Sequence, residues 1–297
     1  MGSLKWVFTI LSVWCPHVAE SRGDFSWKLP EFGDVYHVSG IITIPFAEIE
    51  EPFEAWYNLT ANKSRIQYYD GAVTPVKDQA LCGSCWSFAT TGALEGALFF
   101  KSGQLTPLSE QALMDCSWGF GNFGCDGGIA WRAFNWAKKH GGIPSTESYG
   151  PYRGQNEYCH YNQLEFLGNV SRYINIPFGN VAALKLALFK NGPVAVSINA
   201  SPKSFTFYAN GVYYDPECGN DTVLNHGVLA VGYGVLQGES YWLIKNSWST
   251  HWGNDGYILL SMKDNNCGVT NAAVYPVIVG EVTGNGTTNA KVHGKQL

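Results

Sequence analysis

Charged side chains are scarce in this sequence, and no basic stretch stands out. Only 14% of the 297 residues are charged, and 19 Lys and Arg against 24 Asp and Glu give a net charge of −5. Nucleic-acid binding requires a surface that neutralises phosphates, so we expect no nucleic-acid partner. The 45% apolar content also excludes a disordered or coiled-coil protein.

Long hydrophobic runs are also missing. The apolar stretch at 6–15 follows Lys5 and is too short to span a bilayer. Small and polar residues come next, as expected near the cleavage site of a secretory signal. We therefore predict a signal peptide over residues 1–20 and no membrane partner; a buried N-terminal strand is the alternative. Six Asn-x-Ser/Thr triplets are compatible with secretion and N-glycosylation: Asn58, Asn62, Asn169, Asn199, Asn220 and Asn285.

The cysteine count is informative. The eight cysteines are Cys15, Cys82, Cys85, Cys116, Cys125, Cys159, Cys218 and Cys267. Removing Cys15 with the signal leaves an odd number, so at least one thiol stays outside intrachain bridges. Three interpretations compete: a redox C-x-x-C motif at Cys82 and Cys85, a zinc site, or a nucleophile. The redox motif lacks a compact βαβ context, and zinc would require a second closely spaced pair.

The residues after Cys85 predict a helix. Apolar side chains recur at three- and four-residue spacings between Trp86 and Phe99. At the start of such a helix, unpaired backbone N–H groups and the helix dipole favour thiolate, the form that attacks carbonyl carbon. A structural role remains the alternative, because either Cys82 or Cys85 can be the bridged residue.

Four sequence blocks occur in a characteristic order between residues 71 and 277. They are Gln79 with Cys82-Gly83-Ser84-Cys85-Trp86-Ser87-Phe88, Asp115-Cys116 with Gly124-Cys125-Asp126-Gly127-Gly128, Asn225-His226-Gly227-Val228, and Lys245-Asn246-Ser247-Trp248 with Trp252-Gly253-Asn254-Asp255-Gly256-Tyr257. Together they resemble the signature of the papain and cathepsin L family of cysteine proteases. The resemblance implies an α+β papain-like fold, with a helical lobe, a β-barrel-like lobe and an active-site cleft between them.

The residue types suit peptide hydrolysis. A thiol nucleophile needs a base that also returns a proton to the leaving amine, and His226 lies in an apolar, Gly-rich stretch suited to that role. Asn246 would orient the imidazole, and Trp248 would cover their hydrogen bond from water. The Gln79 amide and the Cys85 backbone N–H would stabilise the oxyanion. We therefore expect Cys85, His226, Asn246 and Gln79 to be catalytic.

The resemblance also assigns the remaining cysteines. It implies disulfides between Cys82 and Cys125, Cys116 and Cys159, and Cys218 and Cys267, which leaves Cys85 free. Sequence spacing alone permits fifteen pairings of six cysteines.

Substrate preference is predicted from positions that match one side-chain pocket of the family. This pocket binds P2, the substrate residue that precedes the residue whose carbonyl group is attacked. The matching positions are Ile129, Ala130, Ser197, Leu224, Gly227 and Ala272. None is charged, so we expect an apolar P2 residue such as Leu, Phe or Val rather than Arg, as in cathepsin L more than cathepsin B. Gly127, Gly128 and Trp248 are also expected to bind substrate. No carboxypeptidase-type insertion precedes Cys159, which favours endopeptidase cleavage.

We expect four regions along the chain. They are the signal peptide (1–20), a strand-rich shortened N-terminal or pro region (21–70), the peptidase domain (71–277) and a disordered polar tail (278–297). Within the peptidase domain, helices are predicted after Cys85, over 129–140 and over 181–190, and strands from 193 onward. The lobes should meet near residue 180. The N-terminal region is similar to the opening of the extra domain in some two-part invertebrate relatives.

The resemblance implies protein and peptide substrates, cystatin-like or prosegment inhibitors, a monomer, and neither cofactor nor metal. The signal predicts the secretory pathway, ending in the lysosome or outside the cell. One departure from the family's sequence pattern favours an alternative function. The helical inhibitory prosegment motif is missing, so a non-catalytic or poorly folded secreted protein on the same fold is the competing hypothesis.

Overall fold

In the computed structural model the chain divides into two compact units, residues 1–70 and residues 71–297. Its described residues are 35–44, 49–58, 63–67, 72–160, 162, 164–219 and 223–278. The predicted signal peptide and the part of the predicted tail after residue 278 lie outside them. In the described part, no helix is long and apolar enough to cross a bilayer.

The N-terminal unit contains a three-stranded antiparallel sheet. Its strands are β1 (Val35–Ile44), β2 (Ile49–Asn58) and β3 (Lys63–Gln67), in the order β1-β2-β3. Strand β2 is central: it pairs with β1 along its whole length and with β3 through residues 54–58.

The second unit contains six α-helices among its described residues. They are α1 (Cys85–Ser102), α2 (Glu110–Cys116), α3 (Ala130–His140), α4 (Thr146–Tyr149), α5 (Val181–Asn191) and α6 (Lys203–Thr206). The Ser109 hydroxyl accepts from Ala112 N and caps α2, and the Asn180 side chain caps α5 in the same way. Left-handed Gly103 ends α1 at φ 71°. The three helices predicted from the sequence are confirmed.

Seven strands form one open sheet. They are β4 (Val170–Asn175), β5 (Val194–Ile198), β6 (Val212–Tyr213), β7 (His226–Leu236), β8 (Glu239–Lys245), β9 (Tyr257–Ser261) and β10 (Ala273–Ile278). Their order is β4-β10-β5-β7-β8-β9-β6, and only β6 and β9 pair in parallel. Strand β4 lies before residue 180, within the range expected for the helical lobe, yet it extends the sheet.

A small apolar cluster joins the helices to the sheet. Ala89 and Ala93 of α1 and Phe134 of α3 pack with three sheet residues: Ala195, Leu229 and Val274. Small side chains on α1 let the helix approach the strands closely; a methyl group on Gly92 would lie 2.6 Å from Leu229. This contact brings the start of α1 to the start of β7, which places Cys85 near His226.

One predicted glycosylation triplet is buried. Asn199 is 5% exposed, and its side chain accepts from the backbone N–H of Ser201, the third residue of the triplet. A glycan on Asn199 is therefore incompatible with the folded unit.

Candidate active site

Cys85 is the one unbridged cysteine among the described residues. It is the first residue of α1, and its Sγ accepts a hydrogen bond from Gly227 N at 3.3 Å. Gly227 follows His226 in the chain, so this contact joins the segment of Cys85 to the segment of His226. The residue is partly exposed, which is required of a candidate nucleophile.

The other six described cysteines form three disulfides. Their pairs are Cys82 with Cys125, Cys116 with Cys159, and Cys218 with Cys267, the pairs that the resemblance implies. The first bridge holds the loop before Cys85. At this point the loop passes very close to the backbone of Cys125: a Cβ on Gly83 would lie 2.4 Å from the Cys125 carbonyl oxygen.

His226 is oriented by Asn246. The imidazole Nε2 lies 2.7 Å from Asn246 Oδ1, and the same oxygen accepts from Ser247 N at 2.8 Å. The second bond fixes the direction of Oδ1, so the neutral ring carries its proton on Nε2 and presents Nδ1 as the base. This is the tautomer that can accept a proton from a thiol.

Trp248 covers this hydrogen bond. Its ring centroid lies 4.8 Å from that of His226, and Phe205 and Trp252 pack against its other sides at 5.6 and 5.2 Å. His226 and Asn246 are 6% and 3% exposed. The aromatic cluster therefore excludes water from the pair.

Burial shifts the pKa values of both Cys85 and His226. It raises the pKa of the Cys85 thiol, although backbone N–H groups of Gly227, Trp86 and Cys85 oppose this effect by stabilising the thiolate. Burial also lowers the pKa of His226 to about 4, against a smaller opposing effect of the bond to Asn246. Each group by itself is therefore uncharged near neutral pH. A thiolate–imidazolium pair would depend on the attraction between its two opposite charges.

Gln79 is held in place from three directions. Its Oε1 accepts from Ser247 Oγ at 2.6 Å, its Nε2 donates to Cys82 O at 2.9 Å, and its carbonyl oxygen accepts from Tyr152 OH at 2.9 Å. An amide nitrogen has two hydrogens, so Nε2 keeps a second one for another acceptor. Sequence reasoning missed Ser247 and Tyr152; only the position of Ser247 directly after Asn246 was a usable signal.

A cleft of about 540 Å³ opens above Cys85 and His226. Every residue predicted to bind substrate lines it except Trp248, which packs on His226 instead. The lining residues predicted from the sequence are Gly127, Gly128, Ile129, Ala130, Ser197, Leu224, Gly227 and Ala272. Sequence reasoning missed further lining residues, among them Trp131, Asn175, Ala195 and Val274.

A second polar cluster lies at the lobe interface. Lys77 Nζ forms ion pairs with Glu95 and Glu110, which are 1% and 3% exposed. Thr91 Oγ1 donates to Glu110 and Thr74 Oγ1 donates to Glu95, at 2.8 and 2.6 Å. Burial raises the pKa of Glu110. Among the residues that the structure describes, no group of three or more His, Cys, Asp or Glu is arranged to hold a metal ion.

Comparison with known proteins decides the family. Residues 62–277 match the family model described as papain family cysteine protease. The chain belongs to this family. The resemblance inferred from the four sequence blocks is thereby confirmed.

Individual relatives are consistent with this family assignment. A "Cathepsin L-like peptidase" from Aedes aegypti is 52% identical over 210 residues, which cover 70% of this chain and 61% of the relative. "Cathepsin K" from Mus musculus is 51% identical over 207 residues, which cover 69% of this chain and 62% of the relative. The chain therefore spans less than two thirds of the length of these two proteins.

A solved structure supports the fold. The "digestive procathepsin L 3 of Tenebrio molitor larval midgut" shares 44% identity and superposes with a TM-score of 0.68, over 71% of this chain and 69% of that one. The papain-like fold expected from the sequence is confirmed, with the strands of the second lobe forming an open sheet.

Proposed function

We propose that this papain-family protein is a cysteine endopeptidase that cleaves proteins and peptides through an acyl-enzyme. The observation that carries the proposal is the free Cys85 sulfur, 3.3 Å from the backbone N–H next to His226, whose ring is bonded to Asn246 at 2.7 Å. A nucleophile, a base and a group that orients the base are the minimum set for this chemistry.

Catalysis would begin with transfer of the Cys85 proton to His226 Nδ1. Burial disfavours each charge separately, but two opposite charges in contact attract strongly in a site of low polarity. The backbone N–H of Gly227 stabilises the thiolate, and Asn246 Oδ1 stabilises the imidazolium through its bond to Nε2.

The thiolate would then attack the substrate carbonyl. The second hydrogen of Gln79 Nε2 and the backbone N–H of Cys85 are the donors for the oxyanion. Collapse of the intermediate breaks the C–N bond, and the imidazolium gives its proton to the leaving amine. Water, deprotonated by the neutral His226, releases the acyl group and regenerates the thiol.

We further propose an apolar P2 preference. The walls at Ile129, Leu224 and Ala272 are apolar, and Asp126, the one acidic side chain that lines the described cleft, is not one of the predicted P2 positions. Burying an Arg side chain there would leave its charge unpaired. Cystatin-like or prosegment inhibitors would occupy the same cleft.

The three disulfides suit an oxidising compartment, which supports a secretory route to the lysosome or outside the cell.

A thiol-directed epoxide tests the proposal on the full chain. We expect one label per molecule, located on Cys85, together with loss of peptide hydrolysis. Cys85→Ser should be neither labelled nor active while keeping the thermal unfolding midpoint of the wild type. Folded wild-type protein that takes up no label and hydrolyses no peptide would instead favour the non-catalytic alternative.

A further inference from the structure

The phenol of Tyr152 lies between the two segments that carry the candidate oxyanion donors. Its hydroxyl donates to the backbone oxygen of Gln79 at 2.9 Å and lies 2.6 Å from Ser84 Oγ. Gln79 carries the side-chain donor, and Ser84 directly precedes Cys85, whose backbone N–H is the second donor. One hydroxyl group therefore connects both halves of the candidate oxyanion site.

The directions of the two hydrogen bonds follow from the number of hydrogens. A phenol has one hydrogen, and a backbone oxygen can only accept. Gln79 uses the hydrogen of Tyr152, so the Ser84 hydroxyl is the donor to the Tyr152 oxygen. Burial raises the pKa of Tyr152, so the phenol keeps its proton at neutral and acidic pH. The chain of two bonds is therefore intact from acidic to neutral pH.

Ser84 departs from the usual behaviour of a serine at the start of a helix. It is the N-cap of α1 and is fully buried. A serine at this position usually accepts a hydrogen bond from an N–H group of the first turn. In the described helix, the Ser84 side chain makes no such bond, and its hydroxyl donates to Tyr152 instead. The backbone just before Cys85 is thus held from outside the helix.

The Gln79 segment contains a strained turn. Ala80 follows Gln79 and has a φ of 53°, in the left-handed region that residues with a Cβ disfavour. The Gln79 backbone is held on both sides, because its N–H donates to Ser247 O at 2.8 Å and its oxygen accepts from Tyr152. Loss of the Tyr152 bond would let the turn relax and move the Gln79 amide.

Tyr152 is itself held by two helices. Its ring packs edge-on against Phe88 of α1, with ring centroids 5.0 Å apart. The next residue, Arg153, donates its backbone N–H to Gln111 Oε1 at 2.9 Å, and Gln111 of α2 is 2% exposed. The phenol hydroxyl therefore has a fixed place from which to position its two partners.

We propose that Tyr152 is a positioning residue that fixes the spacing between the Gln79 and Cys85 oxyanion donors, an inference that rests on the proposed peptidase function. It acts through Gln79 and Ser84. Donors stabilise an oxyanion best when they are in place before the charge develops, and a small displacement lowers the rate strongly. Tyr152 does not line the described cleft, so substrate binding does not depend on it.

Tyr152→Phe tests the proposal in the full chain, because it removes the hydroxyl and keeps the ring against Phe88. We expect kcat for a fluorogenic peptide to fall about tenfold while KM stays unchanged. Methyl methanethiosulfonate has no carbonyl group and forms no oxyanion, so its rate of reaction with Cys85 should stay close to that of the wild type. Tyr158→Phe is the matched control, since Tyr158 belongs to the same segment and is 92% exposed; it should change none of these values.

Ser84→Ala interrupts the same chain at its other bond. It should also lower kcat without changing KM or the thiosulfonate reaction, and it provides the measurement if Tyr152→Phe does not fold. In Gln79→Ala, where the side-chain donor is already absent, the added Tyr152→Phe change should lower kcat less than it does in the wild type.

The outcomes separate the two proposals. A wild-type kcat in folded Tyr152→Phe would overturn the positioning role and leave the peptidase proposal standing. Equal losses in kcat and in the thiosulfonate reaction would also overturn it, because they would indicate a disturbed Cys85 rather than misplaced oxyanion donors. Wild-type protein that hydrolyses no peptide and whose Cys85 takes no label would overturn both proposals.

Discussion

Ser247 Oγ donates a 2.6 Å hydrogen bond to Oε1 of Gln79, which fixes the direction in which the Gln79 amide nitrogen points. Both side chains are buried, at 4% and 7% exposure. The two residues are 168 positions apart in the sequence. The candidate oxyanion donor on the nucleophile segment is thus oriented by a residue from the β8 end of the sheet.

This relationship predicts a positioning role for Ser247. Ser247→Ala frees the Gln79 amide to rotate, so we expect kcat to fall about tenfold with little change in KM. Gln79→Ala removes the donor itself and should lower kcat about 10²-fold or more. Steady-state kinetics on one peptide substrate would measure both.

Two further variants complete this test. Ser102→Ala, at the far end of α1, is the control and should be silent. In Gln79→Ala, the added Ser247→Ala change should have little effect, since the donor is already absent. Equal losses from Ser247→Ala in both backgrounds would contradict the positioning role.

The charge on Cys85 should control the protonation of His226. Burial lowers the pKa of His226 to about 4, and a neighbouring thiolate would raise it by favouring the imidazolium. We therefore expect Cys85→Ala to leave His226 with a pKa near 4, well below its value in the wild type. NMR titration of the ring resonances would measure this difference. Equal pKa values in the two proteins would contradict the ion-pair mechanism.

Acid should destabilise the Cys85→Ala variant through His226. A folded pKa of about 4 against an ordinary value of 6.5 means that the unfolded chain binds more protons between these pH values. The stabilisation is present above pH 6.5 and is lost as pH falls to 4, by about 3 kcal/mol. Denaturant unfolding at several pH values measures how steeply the free energy of unfolding changes with pH. Adding His226→Gln to the Cys85→Ala variant should make this dependence weaker. An unchanged dependence would assign the acid sensitivity to other groups.

Lys77 should stabilise the lobe interface. Lys77→Met leaves the carboxylates of Glu95 and Glu110 buried without their cation, so we expect a loss of about 3 kcal/mol in the free energy of unfolding at neutral pH. The loss should shrink as pH falls, because burial raises the pKa of Glu110 and its protonation removes an unpaired charge. Lys101→Met, at the exposed end of α1, is the control. Urea denaturation at pH 7 and pH 4.5 measures the free energy of unfolding of the wild type and of both variants. A loss in Lys77→Met that does not change with pH would contradict the electrostatic explanation.

Trp248 should affect the rate through the His226–Asn246 bond. Trp248→Leu opens this bond to water, so we expect kcat to fall about tenfold, while Trp248→Phe keeps an aromatic cover and should lose less. Steady-state kinetics and His226 ring NMR would report the two effects together. A leucine variant with wild-type kcat would show that the cover is not needed for the reaction.

Much of the candidate site can be predicted from the sequence, because its residues lie in short blocks. The apolar spacing after Cys85 predicts α1, since helical periodicity involves residues only three or four positions apart. Seven cysteines remain once the predicted signal peptide with Cys15 is removed, and this odd number already indicates a free thiol. The order of the four blocks identifies the family. Local patterns of this kind can be recognised in the sequence without knowing how the helices and strands pack together.

Only the tertiary structure shows which hydrogen bonds and ion pairs join segments that are far apart in the sequence. The Ser247 bond to Gln79 and the Lys77 ion pairs with Glu95 and Glu110 join residues that no local pattern connects. Each depends on how α1 and α3 pack on the sheet and on the register between strands. These are properties of the whole buried core, and a short stretch of sequence does not encode them.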